Sequence, residues 1–151
     1  MLAAVFMFSL SIAAMAAPAE KDPELAAFKA EIQGLREELK GLRVEGKDLH
    51  TQIMSERTDI KERVKAIKES GDEEKLQAVQ EIREELKALN EELKSMREEK
   101  KQVWQELKSA REAKDFETVK TKFAEIINMK SDIIERMNEK LQMLEEIESV
   151  L

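Results

Sequence analysis

The sequence predicts an all-α fold: an antiparallel, up-down-up three-helix bundle, or coiled coil, of long helices. Three observations carry this. Charged residues make up 39% of the 151 positions and aromatics only 4%, the bias of long helices and coiled coils. Apolar residues recur at spacings of three and four along most of the chain, the period of a helix face. That pattern stops twice, at "KESGDEEK" (Lys68 to Lys75) and at "REAKDFET" (Arg111 to Thr118), so it is cut into three pieces of similar length.

The first residues stand apart. "MLAAVFMFSLSIAAMAAPAEKDPE" carries no charged side chain before Glu20. Leu2 to Ala14 is a short apolar run, and Ala14-Met15-Ala16 fits the small-x-small rule for signal cleavage. Residues 1–16 read as a signal peptide cut after Ala16, although no Lys or Arg precedes the apolar run. The mature domain is then 17–151, outside the cytoplasm: periplasmic, in the cell envelope, or secreted. The chain has no cysteine, which excludes lipid attachment at a cysteine, and an exported fold must hold without disulfides. Contact with a membrane follows only if the first segment stays uncleaved.

Helix one is expected over about 23–69. Asp22 suits the cap, Pro23 the first helical position and Glu24 the positive end of the dipole. Its seam runs through Leu25, Phe28, Ile32, Leu35, Leu39, Leu42, Leu49, Ile53, Ile60, Val64 and Ile67, skipping a turn at Gly46 and weakening at Glu56 and Arg63. Gly71 suits the left-handed residue that ends a helix, and Asp72 suits the next cap. Helix two, about 73–113, carries Leu76, Val79, Ile82, Leu86, Leu89, Leu93, Met96, Val103, Leu107 and Ala110. "AKD" repeats the device, with Lys114 where Gly71 was and Asp115 as cap. Helix three, about 116–150, has a broader face, because Ile127, Ile134 and Leu141 flank its seam. Short turns make neighbours antiparallel. That sets Leu39 near Val103, Leu49 near Leu93, Val103 near Ile126 and Leu93 near Met137, with helix two serving both pairings.

Chemistry finds little foothold in this composition. One histidine, His50, stands beside the seam, and there is no cysteine or tyrosine. No Gly-rich phosphate loop or nucleophile elbow is present, so neither an enzyme nor a small-molecule site is expected. The net charge of −7 argues against nucleic acid, which needs a basic face. Carboxylates one turn apart, Glu81 with Glu85 and Glu135 with Glu139, read as solvated helix surface. Met129, Met137 and Met143 read as core filling or adaptable contact surface rather than a copper site. No metal and no cofactor is expected. Lys100 and Lys130 fall on seam positions at one level of the bundle, with Leu42 and Gly46 opposite. They either snorkel outward or loosen and register the middle of the core.

The broad third face either closes the bundle or serves a partner, a second copy included. Ile127, Ile134, Leu141 and Trp104 are therefore the candidate partner-binding residues, for protein partners or unfolded clients.

Leu76-Gln77-Ala78-Val79-Gln80 keeps the Leu and the Gln of a Leu-Thr-x-x-Gln helix start, with Gln77 where that signature has Thr; Leu49-His50-Thr51-Gln52 has similar residue types in another register. In architecture the chain resembles the Spy/CpxP-like exported proteins. That resemblance implies a small α-helical protein that binds unfolded proteins without ATP, or that senses envelope stress and metals. The reading is thus an exported coiled-coil protein-binding module, a holdase or adaptor. The alternatives are a metal buffer or sensor, and a structural spacer.

Overall fold

A computed structural model describes residues 23–151; the expected signal segment and the Asp22 cap lie outside the described residues. Within them the chain is all helix and turn, with helices α1 (Pro23–Ser70), α2 (Glu73–Glu112) and α3 (Phe116–Val150). At 1.5 Å per residue α1 is about 72 Å long, so the molecule is a rod one bundle thick.

The two stops are built differently. Gly71 takes φ +76° and its N–H donates to the Ile67 carbonyl at 3.0 Å, the single bond of a left-handed cap. Asp72 then accepts from the Lys75 N–H at 3.2 Å and starts α2. At the second stop the Asp115 N–H donates to Ala110 and the Lys114 N–H to Arg111. That is the paired pattern of a Schellman motif, made without glycine, because Lys114 itself adopts φ +58°. Asp115 caps α3 by accepting from both the amide and the hydroxyl of Thr118, at 3.1 and 2.6 Å. Those bonds to the ionised form hold its carboxyl below the ordinary value.

The core divides into three apolar clusters along the rod. The largest joins Leu49, Ile53, Leu93, Ile133 and Met137 and runs to the Gly71 end. A second joins Leu39, Val103, Leu107, Phe123 and Ile126. A third, of Ile32, Ala110 and Val119, closes the end near Lys114. The expected partners therefore meet. The sharing differs from the sequence reading. The helix that runs close along both others is α3, and the backbones of α1 and α2 approach each other far less. The broad face of α3 is what allows this: Ile126 and Ile133 lie with Ile127 and Ile134 on adjoining rows, so one helix fills two interfaces.

Candidate functional site

The α3 strip is the first correction. Ile127 and Ile134 are each only 5% exposed, so they are core within one chain and not an open strip. Leu141 is half-buried against the large cluster. Trp104 is half-buried too, edge-on to Phe123 with ring centroids 6.0 Å apart. What the sequence offered as a partner surface is mostly spent on joining α3 to α1. Of the large apolar side chains that do lie open, Leu25, Val44, Met54 and Phe116, Phe116 packs on Phe28 at the Lys114 end of the rod with ring centroids 4.7 Å apart, while Val44 points almost opposite to the α1 seam and Met54 a quarter turn from it. The methionines are core filling as expected, with Met137 buried and Met129 and Met143 packed against the clusters. Among the described residues no three histidines, aspartates or glutamates converge to hold a metal ion.

Charge is arranged less evenly than the sequence suggests. Four ion pairs between helices run to α3. Arg63 meets Glu148 at 2.9 Å and Glu31 meets Lys120 at 2.6 Å across α1–α3. Glu106 meets Lys122 at 2.6 Å and Glu92 meets Arg136 at 3.0 Å across α2–α3. None of these four joins α1 to α2. There a groove of 440 Å³ opens between the two helices, walled by Arg57 and Lys61 of α1 and by Arg83 and Lys87 of α2. Lys140 of α3 rises into it beside Ile60, Leu86, Leu144 and Ile147, and Glu91 is its one acidic lining residue. Lys140 donates to the Asn90 amide oxygen. Burial lowers the Lys140 amine below its ordinary value, and the nearby charges of Arg57 and Arg97 push the same way.

Through Arg97 this basic face continues to the middle of the rod. Lys100 and Lys130 are half-buried there, between the first and second apolar clusters. The Lys130 amine lies against Gly46 of α1, in the space a Cβ would take, so a larger residue there would push the amine aside. Burial lowers the pKa of Lys100, and Lys130, Arg97 and Arg43 add to the effect. Burial also lowers Lys130, with Arg97 and Arg43 pushing down and Glu45 pushing up. Among the described residues, no carboxylate comes within ion-pair distance of Lys100, Lys130, Arg43 or Arg97.

No family model, characterised protein or solved structure matches the chain. The site therefore rests on its own geometry. Lys100 and Lys130 were visible in the sequence as seam lysines; the groove was not. Its signal was present in like-charged pairs one turn apart, Arg57 with Lys61 and Arg83 with Lys87. Such pairs are unfavourable on a lone helix. In a chain of net charge −7 they were masked by the surrounding glutamates.

Proposed function

We propose that this chain is an exported helical binding module, of the adaptor kind, that works by contact and not by turnover, and that its contact face is the basic groove between α1 and α2. One observation carries the reading: α1 and α2 turn Arg57, Lys61, Arg83 and Lys87 toward each other and, among the described residues, none of the four sits in an ion pair, while both other helix edges are laced by opposite charges. Two half-buried seam positions are given to lysines on the same side. Both features cost stability, and rules of folding are broken most often where a molecule has another task. The signal-like first segment and the architectural resemblance to Spy/CpxP-like proteins support an extracytoplasmic site of action. Burial of Ile127 and Ile134 removes the apolar strip on which a holdase version rested, so the adaptor version is the one retained.

The test is photo-crosslinking in intact cells, with a crosslinking residue placed at Lys61 or Lys87 in the groove, or at Glu62 on the outer surface of α1. A discrete adduct from the groove positions and none from Glu62 is the expected result. Equal adducts from both faces, or adducts from neither, overturn the reading and leave a spacer.

A further inference from the structure

The chemistry of the groove narrows what fills it. We propose that the α1–α2 groove takes an acidic segment of a partner protein, laid lengthwise, with its carboxylates answering the cations of both walls. The inference rests on the binding-module reading above and adds the class of partner.

Charge complementarity is the first argument. The walls present Arg57, Lys61, Arg83 and Lys87, and Lys140 stands between them. Further along, Lys100 and Lys130 sit half-buried and, among the described residues, in no ion pair, with Glu45 the one carboxylate whose charge reaches Lys130. From Arg43 to Lys61 the basic edge of α1 is about 27 Å long, the length of several helical turns or a short extended strand. The apolar residues beside Lys140 are already buried, Ile147 to 1% and Ile60 to 4%. An occupant therefore gains little from apolar contact and must be held by charge-assisted hydrogen bonds. Carboxylates supply these, and two entering at the middle of the rod would meet Lys100 and Lys130.

Other occupants fit less well. A nucleic acid duplex meets ridges of positive charge, whereas two of these amines, Lys130 and Lys140, come from α3, between and below the walls. The net charge of −7 also repels a long polyanion everywhere outside the groove. A second folded copy has its carboxylates on rigid helices already paired at several places to neighbouring cations. The chain's own residues 1–22 contain only Glu20 and Asp22 as acids.

The experiment is fluorescence anisotropy on the mature chain with a labelled helical peptide of about 18 residues, long enough to span the groove, bearing glutamates on one face. Saturable binding that weakens as salt rises is expected. Arg57→Glu with Lys61→Glu should weaken it about tenfold or more, the loss of one or more charge-assisted hydrogen bonds. The same pair of changes should raise the melting temperature, because it sets opposite charges across α1–α2. Lys29→Glu with Lys108→Glu is the control of equal charge, since both lysines are exposed toward the Lys114 end of the rod, about 16 Å or more along their helices from Arg43 and Arg97; it should leave the affinity unchanged. Gly46→Ala keeps every charge but displaces the Lys130 amine, and should also weaken binding. Circular dichroism confirms that each variant is folded. No saturable binding at low salt overturns the proposal, as does equal weakening by the control pair. Tighter binding of a DNA duplex of equal length overturns it in favour of nucleic acid. If the peptide fails while groove crosslinks persist, the acidic partner falls and the binding module stands; if the groove yields no crosslink, the module reading itself falls.

Discussion

Replacing Lys100 by leucine should make the protein more stable. Lys100 is half-buried on the seam, and its amine has Lys130, Arg97 and Arg43 around it without a carboxylate in reach. A fully buried leucine side chain contributes about 1.5–3 kcal/mol. Half of that applies at this depth, and the lysine stem already covers part of the same area, which leaves about 0.5–1 kcal/mol. Removing one of several like charges adds some tenths to about 1 kcal/mol at the dielectric of a half-exposed site. The sum is about 1–2 kcal/mol, or roughly 3–8 °C in melting temperature for a domain of this size. Urea denaturation followed by circular dichroism measures it, with the slope expected to stay constant. Lys130→Leu should act in the same direction, and the two together should gain less than their sum, since each relieves part of the same repulsion. The pH dependence gives a second check. The folded-state pKa of Lys100 lies below its ordinary 10.5, so at alkaline pH the unfolded chain binds more protons and parent stability rises with pH. The advantage of the leucine variant should shrink as pH climbs toward 10.5. An unchanged or lower midpoint at neutral pH would refute the account of the seam.

The two turns should respond oppositely to substitution. Gly71→Val should cost about 1 kcal/mol or more, because a β-branched residue tolerates φ +76° badly, whereas Lys114→Gly should gain about 1 kcal/mol by relieving a left-handed lysine; thermal melts that move together contradict the cap geometry. Ile127→Ser with Ile134→Ser should unfold the bundle or cost about 2–5 kcal/mol per site, as for truncations in a packed core, and a well-folded double variant of parental stability would restore the open strip. Glu56 is half-buried, and burial first, then the charges of Glu148, Asp59 and Glu145, raise its pKa. Its folded form holds the proton at a pH where the unfolded form has lost it, so its contribution to stability falls as pH rises above the ordinary 4.5. Glu56→Gln should therefore stabilise at neutral pH, with the gain vanishing as pH falls through that range, and a gain that is the same at every pH counts against the carboxyl crowding.

The fold was legible because its signals are local. A period of three to four, a Gly-Asp pair and an Ala-Lys-Asp triplet mark helices and their ends within a few residues of sequence. Even Lys114 could be read, since the aspartate after it names the cap. Width was harder. Ile127 and Ile134 widen the α3 face, but a wide face looks the same whether the covering helix is α1 or another protein. The pairing map also assumed that helices joined by a turn pack most closely, which made α2 the shared helix. Side-chain charge decided otherwise: the facing edges of α1 and α2 are both basic, while Glu31, Glu92, Glu106 and Glu148 tie each neighbour to α3 across opposite signs. That depends on which edge of each helix faces which partner, and one strand of sequence does not display it.

Placing α3 between two helices that avoid each other also bears on the order of assembly. The α2–α3 and α1–α2 hairpins both close over short turns at little loss of chain entropy, and of the two it is α2–α3 that unites opposite charges at its edges. The α1 helix must instead find a surface that arrives 85 to 89 residues later in the chain, as Arg63 with Glu148 and Glu31 with Lys120 show, beyond the whole of α2. Until then it has only part of its apolar face to set against α2, and the slow event in folding becomes the docking of the first-made helix onto the last.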